Sequence, residues 1–211
     1  MKFFSLLTLA SFVTASPFRR QQQTVTGTIK SSVDTLSSST TVTLNQIDDN
    51  VALIKNNVEA QLVAQIQADL KANYQAILQG LAASTTTIVS VTIGAAGGVA
   101  AQAIGLANQQ IATLTASILV VIDILVNLGA TITITATDLT PALRATFQSE
   151  IDAVKAAINP FVRPVLLFAA AVRDANVGGS ATITGLDNAI VNLLRVQGEV
   201  AASIGIPAPS L

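Results

Sequence analysis

Two pairs of carboxylates are the residues whose types could most readily do chemistry in this 211-residue chain. Asp48-Asp49 and Glu150-x-Asp152 offer acid and base functions, and a glycosidase needs one of each flanking the scissile bond at a fixed separation. Side chains one or two residues apart on a helix point in different directions, so both pairs read as solvated helix faces. Tryptophan is absent and Tyr74 is the single tyrosine, which leaves little aromatic surface for a sugar ring to stack on. Serine is plentiful, yet there is no G-x-S-x-G elbow, no S-x-x-K and no histidine to serve as a general base. The absence of both cysteine and histidine also removes the ordinary zinc ligands and the thiol and imidazole routes to covalent catalysis. No catalytic residue, metal site or cofactor is therefore expected. Gly94-x-x-Gly97-Gly98 has neither dinucleotide-loop spacing nor the GK[ST] of a phosphate loop, and with Gly105 it reads as a helix-packing device.

Asp123 is the only charge between Lys71 and Asp138, and the 51 residues from Ala72 to Ile122 carry none. On a helical wheel Asp123 falls near Thr113, Ala116, Val120 and Asn127, a weak polar line opposite the apolar stripe, so it is expected to face solvent. Ile111–Gly129 and Thr85–Ala107 are apolar enough to raise a membrane hairpin as a competing reading. Against it, no Lys or Arg lies between Lys71 and Arg144 to anchor an end, and Gln102, Asn108, Gln109 and Gln110 crowd the join. Burying Asp123 at mid-bilayer would cost about 2.5 to 3.5 kcal/mol on insertion scales.

The elements that would position these residues are helices. Val25, Ile29, Val33, Leu36, Ile47, Val51, Ile54 and Val58 share one helical face, interrupted by the Ser/Thr cluster of residues 37–43, which reads either as a break or as a kinked part of one helix. A second stripe runs through Leu62, Ile66, Leu70, Ile77 and Leu81, with Gly80 near its end. Ile88–Ile93 alternates like a strand, but the glycines that follow favour helix. Ile111, Leu114, Ile118, Val121, Ile122, Leu125 and Leu128 form the next stripe, ending at Gly129, and TITITAT (131–137) reads as a short extended segment. Thr140-Pro141 satisfies the rules for an N-cap and a first turn, and Leu143, Phe147, Ile151, Val154 and Ile158 continue that helix until Asn159-Pro160 ends it. A further helix spans 160–175, Gly178-Gly179 makes a turn, and Thr184 caps a last helix through Leu186, Ile190, Leu194 and Ile204. The expected fold is an all-α helical bundle of six or seven helices with one short extended segment. Tyr74, Phe147, Phe161 and Phe168 could line an apolar cavity within it, with ordinary core packing as the alternative.

The N-terminus bounds the setting. Lys2, the apolar run Phe3–Val13 and the small residues Thr14, Ala15 and Ser16 have the layout of a secretory signal peptide cut after Ala15, and Arg19-Arg20 looks like a dibasic processing site. The expected organisation is a signal peptide at 1–15, a short propeptide at 16–20 and one helical domain at 21–211. Such a protein is secreted, to the medium or the cell wall. Its remaining charge, eight basic against twelve acidic residues, offers no stripe for nucleic acid. Without cysteine it has no disulfides, so a core or a homo-oligomer must supply the stability. No N-x-[ST] sequon occurs, so any glycan would be O-linked, most readily on Ser31–Thr43. Helices that are apolar nearly all round must be central in a bundle, enclose an apolar cavity or meet an external apolar phase, which points to lipid or another hydrophobic surface as the partner.

The leader ending VTASPFRR, the run VTGTIKSSVDTLSSSTTVTLNQID, the low aromatic content, the missing cysteine and the capped helix LTPALRATFQSEIDAVKAAI together resemble the fungal hydrophobic surface-binding protein A family, which includes cell-wall galactomannoprotein-like members. The features cover roughly Thr24 to Ile158 and are compositional and periodic. The resemblance implies a secreted helical protein that adsorbs to hydrophobic surfaces or binds lipid, and that brings a secreted esterase to an apolar substrate. It carries over no catalytic residue. A self-assembling, O-glycosylated structural cell-wall protein is the alternative.

Overall fold

The computed structural model describes residues 24–56, 60–176 and 180–206. Ala15, Arg19 and Arg20, the Gly178-Gly179 turn, Val58 and the tail beyond Ile206 lie outside them. Seven helices and no strand occur among the described residues: α1 (Val25–Lys55), α2 (Ala60–Thr92), α3 (Gly98–Ala103), α4 (Asn108–Asp138), α5 (Pro141–Ala145), α6 (Gln148–Ala175) and α7 (Ala181–Ile204).

Side-chain contacts fix the directions of the five long helices. Ser84 donates to the Ser32 carbonyl at 3.4 Å, which sets α2 antiparallel to α1. Lys55 pairs with Asp138 at 3.0 Å and Asp48 lies beside Thr131, so α1 and α4 run parallel. Residues 126–133 of α4 and 196–203 of α7 line one groove, with Gly129 set against Val200, so α7 packs beside α4. Arg173 reaches Asp187 at 3.5 Å while Gln197 donates to Asn159 at 2.9 Å, which makes α6 antiparallel to α7. The result is two layers. Parallel α1, α4 and α7 form one, and α2 and α6 form the other, running the opposite way.

The core between the layers is aliphatic with four large aromatic side chains. Tyr74, Phe147, Phe161 and Phe168 are all at most 1 % exposed, and the rings of Tyr74 and Phe147 stack with centroids 6.3 Å apart. Each such ring buries a large apolar area and contributes about 3–5 kcal/mol against truncation to alanine.

Several local expectations are corrected by packing. The Ser/Thr cluster does not break α1, because Leu36, Thr40 and Leu44 continue its buried face while Ser38, Thr41 and Thr43 hydrogen-bond back to carbonyls three to four residues earlier. α2 runs on past Gly80 to Thr92, as the helical reading of 88–93 anticipated. TITITAT is not extended but forms the last turns of α4. Ile132 and Thr135 prolong the stripe of Leu125 and Leu128, and Thr133 donates to the Gly129 carbonyl at 2.7 Å. Asn159-Pro160 does not end α6, which passes through both Pro160 and Pro164. Each proline deprives the carbonyl four residues earlier of its partner, and those carbonyls belong to Ala156 and Pro160 on the exposed face, where water can satisfy them. The break comes instead at Thr146-Phe147, which separates α5 from α6. Thr140 does cap α5 with Pro141 in its first turn. The cap of α7 is Ser180 rather than Thr184, its hydroxyl accepting from the Ile183 amide at 3.3 Å.

Gly94, Gly97, Gly98 and Gly105 do not mediate helix packing. Gly94, Gly97 and Gly105 belong to the turns that join α2, α3 and α4 while Gly98 opens α3, and Gly97, Gly98 and Gly105 adopt positive φ of 85°, 68° and 73°. A Cβ on Gly97 would also sit 2.6 Å from the Ala101 methyl. These turns interrupt Thr85–Ala107, so it forms no single helix of membrane-spanning length. α4 and α6 are long and apolar enough to cross a membrane, and 50% of the most apolar window of each is buried in the bundle.

Candidate apolar surface

The two carboxylate pairs weighed from the sequence are each split by their packing. Asp49 lines an open polar groove between α1 and α2 with Gln46, Asn50 and Asp69, whereas Asp48 turns toward α4. Glu150 at the start of α6 accepts from Ser149 at 2.8 Å and pairs with Lys71 at 3.1 Å, and these two partners hold its carboxyl below the usual carboxylate range. Asp152 accepts instead from Gln148 at 2.9 Å. No three metal-ligating side chains gather among the described residues.

A small polar cluster inside the bundle was not legible in the sequence. The Tyr74 hydroxyl and Thr135 Oγ1 are 2.7 Å apart, and both residues are fully buried. Burial pushes the Tyr74 phenol up to about 12, partly offset by that hydrogen bond. Nearby, Asp48 Oδ1 is shielded from solvent without a hydrogen-bond partner. Desolvation raises the Asp48 carboxyl above its ordinary range, Thr131 counteracts part of this, and Asp49 adds to it. Tyr74 and Thr135 are enclosed between α2 and α4, Asp48 sits half-buried at the edge of the pair, and the arrangement reads as a specificity device of the core.

Tyr74, Phe147, Phe161 and Phe168 all lie in that packed core, away from the four grooves found among the described residues. Apolar character outside the core is found elsewhere. Val42 on α1, Leu119, Val126 and Ile134 on α4, and Val191 on α7 are 59%, 48%, 48%, 37% and 62% exposed on the three-helix layer, and Leu62 on α2 and Leu167 on α6 are exposed on the other. Leu119, Val126 and Ile134 recur at seven and eight residues and so share one side of α4. Asp123 is exposed on that same outer face, as its place on the helical wheel required. Beside it, Val126, Gly129, Ala130, Val196 and Val200 line an open, mainly apolar groove of about 350 Å³ between α4 and α7. Gly129 permits the close approach there, since a Cβ would meet Val200 at 3.1 Å. Isolated aliphatic residues off the main stripe were the available sequence signal for this surface, and a reading centred on core stripes passed over them.

No family model matches the chain, and no curated protein or solved structure is significantly similar to it.

Proposed function

We propose that the chain is a secreted, non-catalytic protein that binds hydrophobic surfaces or lipids such as fatty acyl chains, in keeping with its resemblance to the fungal hydrophobic surface-binding protein A family. The observation that supports this best is the outer face of α4. It presents Leu119, Val126 and Ile134 to solvent, and Asp123 is the only charge on the helix before its last residue, Asp138. Water gains when such a face is covered, by roughly 0.8 kcal/mol for each methylene buried, so a long acyl chain binds without specific polar contacts. A secreted esterase delivered to an apolar substrate is the partner in this reading.

The test is depletion of the folded protein from solution onto an alkyl resin, together with uptake of a fluorescent fatty acid. Both should occur with the monomer. A folded monomer that ignores the resin and the fatty acid alike would overturn the proposal. A self-assembling, O-glycosylated cell-wall protein is the second reading, favoured by the exposed Ser31, Thr35, Ser38 and Thr41 hydroxyls on α1 close to exposed Val42. Concentration-dependent light scattering of lipid-free protein separates the two.

A further inference from the structure

The end of the bundle where α2 hands over to α4 has a composition found nowhere else on the molecule. Residues 93–107 read IGAAGGVAAQAIGLA, with Gln102 as the one polar side chain. α3 packs this segment down on α6, burying Ala103 completely and Val99 and Leu106 in part. Ile93 and Ile104 are left outside, 46% and 71% exposed, and Ile104 is the most exposed large apolar side chain among the described residues. The segment is folded rather than slack. The amides of Ile93 and Gly94 both donate to the Val89 carbonyl at 2.9 Å, Gly98 donates to Ala95 at 2.9 Å, and Gln110 Oε1 accepts from the Ala107 amide at 2.9 Å. Gln102 closes the cap by donating to the Ala96 carbonyl at 3.3 Å.

The charge distribution singles out the occupant. No charge occurs from Ala72 to Ile122, so the uncharged stretch continues for about 22 Å down α4 at 1.5 Å per residue. The charged groups of neighbouring helices toward this end pair with one another, and their sum is a single negative charge. Lys30 pairs with Asp34 at 2.5 Å on α1, and Arg173 pairs with Asp174 at 2.9 Å and Asp187 at 3.5 Å where α6 meets α7. A protein partner is recognised by shaped pockets and a rim of directional polar contacts. This cap offers alanine, glycine and two projecting isoleucines inside a rim whose named charges leave one carboxylate in excess, which disfavours an anionic surface. A fluid apolar phase accepts such a surface without shaped pockets or directional polar contacts.

We propose that the 93–107 cap is the element that enters the acyl boundary of an uncharged lipid surface, with the bundle standing end-on and Ile93 and Ile104 as the inserted side chains. This rests on the lipid-binding reading above and names the site at which it operates. The cysteine-free chain provides a direct test, because a single cysteine can be labelled without background. An environment-sensitive fluorophore is placed on Ile104→Cys, and separately on Val42→Cys and Val191→Cys as side-face controls, in the intact protein mixed with phosphatidylcholine vesicles. The expected result is a blue shift and protection from an aqueous quencher at position 104 alone. Replacing Ile104 or Ile93 by Asp should weaken vesicle partition by ~tenfold or more each, with helical circular dichroism unchanged. Shifts at the side faces but not at 104 would overturn the end-on site and leave lipid binding intact. Equal shifts at all three would overturn it in favour of indiscriminate adsorption. No shift anywhere, with protein failing to float with the vesicles, would overturn the lipid-binding reading itself.

Discussion

Tyr74 gives the bundle a built-in reporter. It is the only tyrosine and there is no tryptophan, so the near-ultraviolet phenolate band reports on this one buried side chain. Its phenol is pushed up to about 12 from an ordinary 10.0, chiefly by burial. A group that holds its proton more tightly when folded contributes stability that is fully present below the unfolded value and is lost as pH rises toward the folded one. The loss here falls between pH 10 and about 12 and amounts to about 3 kcal/mol. In urea unfolding followed by circular dichroism, stability should decline across that window. Native phenolate absorbance should lag that of the urea-unfolded chain by about two pH units. Tyr74→Phe should abolish this alkaline decline attributable to the phenol while lowering stability at neutral pH by ~1–2 kcal/mol, because Thr135 loses its buried partner. Phenolate appearing in the folded protein near pH 10, or an identical alkaline decline in Tyr74→Phe, would refute the argument that this hydroxyl is sealed inside the core.

Other perturbations follow from the same packing. Asp48 is raised in the folded state, so its ionised form opposes folding at neutral pH and that penalty disappears on acidification; Asp48→Asn should raise the urea midpoint near pH 7 and leave it unchanged at low pH. Phe161→Ala empties fully buried space and should cost about 3–5 kcal/mol, read as a fall in the calorimetric midpoint. Gly97→Ala meets both a positive φ of 85° and the Ala101 methyl, and should destabilise by ~1–3 kcal/mol with faster amide exchange confined to the α2–α4 connection. Asp123→Leu removes an exposed charge from the outer face of α4 and should change stability by less than ~0.5 kcal/mol while strengthening adsorption to an alkyl resin.

The helical class and most core positions were legible because the apolar residues recur at helical intervals over long stretches, from Ile29 to Val51 and from Ile111 to Ile132. Where helices stop was less legible. Pro160 and TITITAT both carry strong local preferences against continuing, and both are overridden because the stripe of core residues on either side keeps its phase. The glycines at 94–105 could be read as packing or as turns, and only the observed positive φ values decide it. The polar cluster lay beyond reach for a different reason: Tyr74 and Thr135 are 61 residues apart, and nothing local to either names the other. Similarly, of two adjacent aspartates, only tertiary packing turns Asp48 inward and leaves Asp49 on a groove.

The placement of α4 between α1 and α7 bears on how the chain is made. α1 packs on both α4 and α2, and α4 on both α1 and α7, so a hairpin of α1 and α2 emerging from the ribosome lacks one of the neighbours its oily stripe requires. The layer is completed only when the last helix is synthesised, and until then each earlier stretch is open to mispairing or capture by other chains.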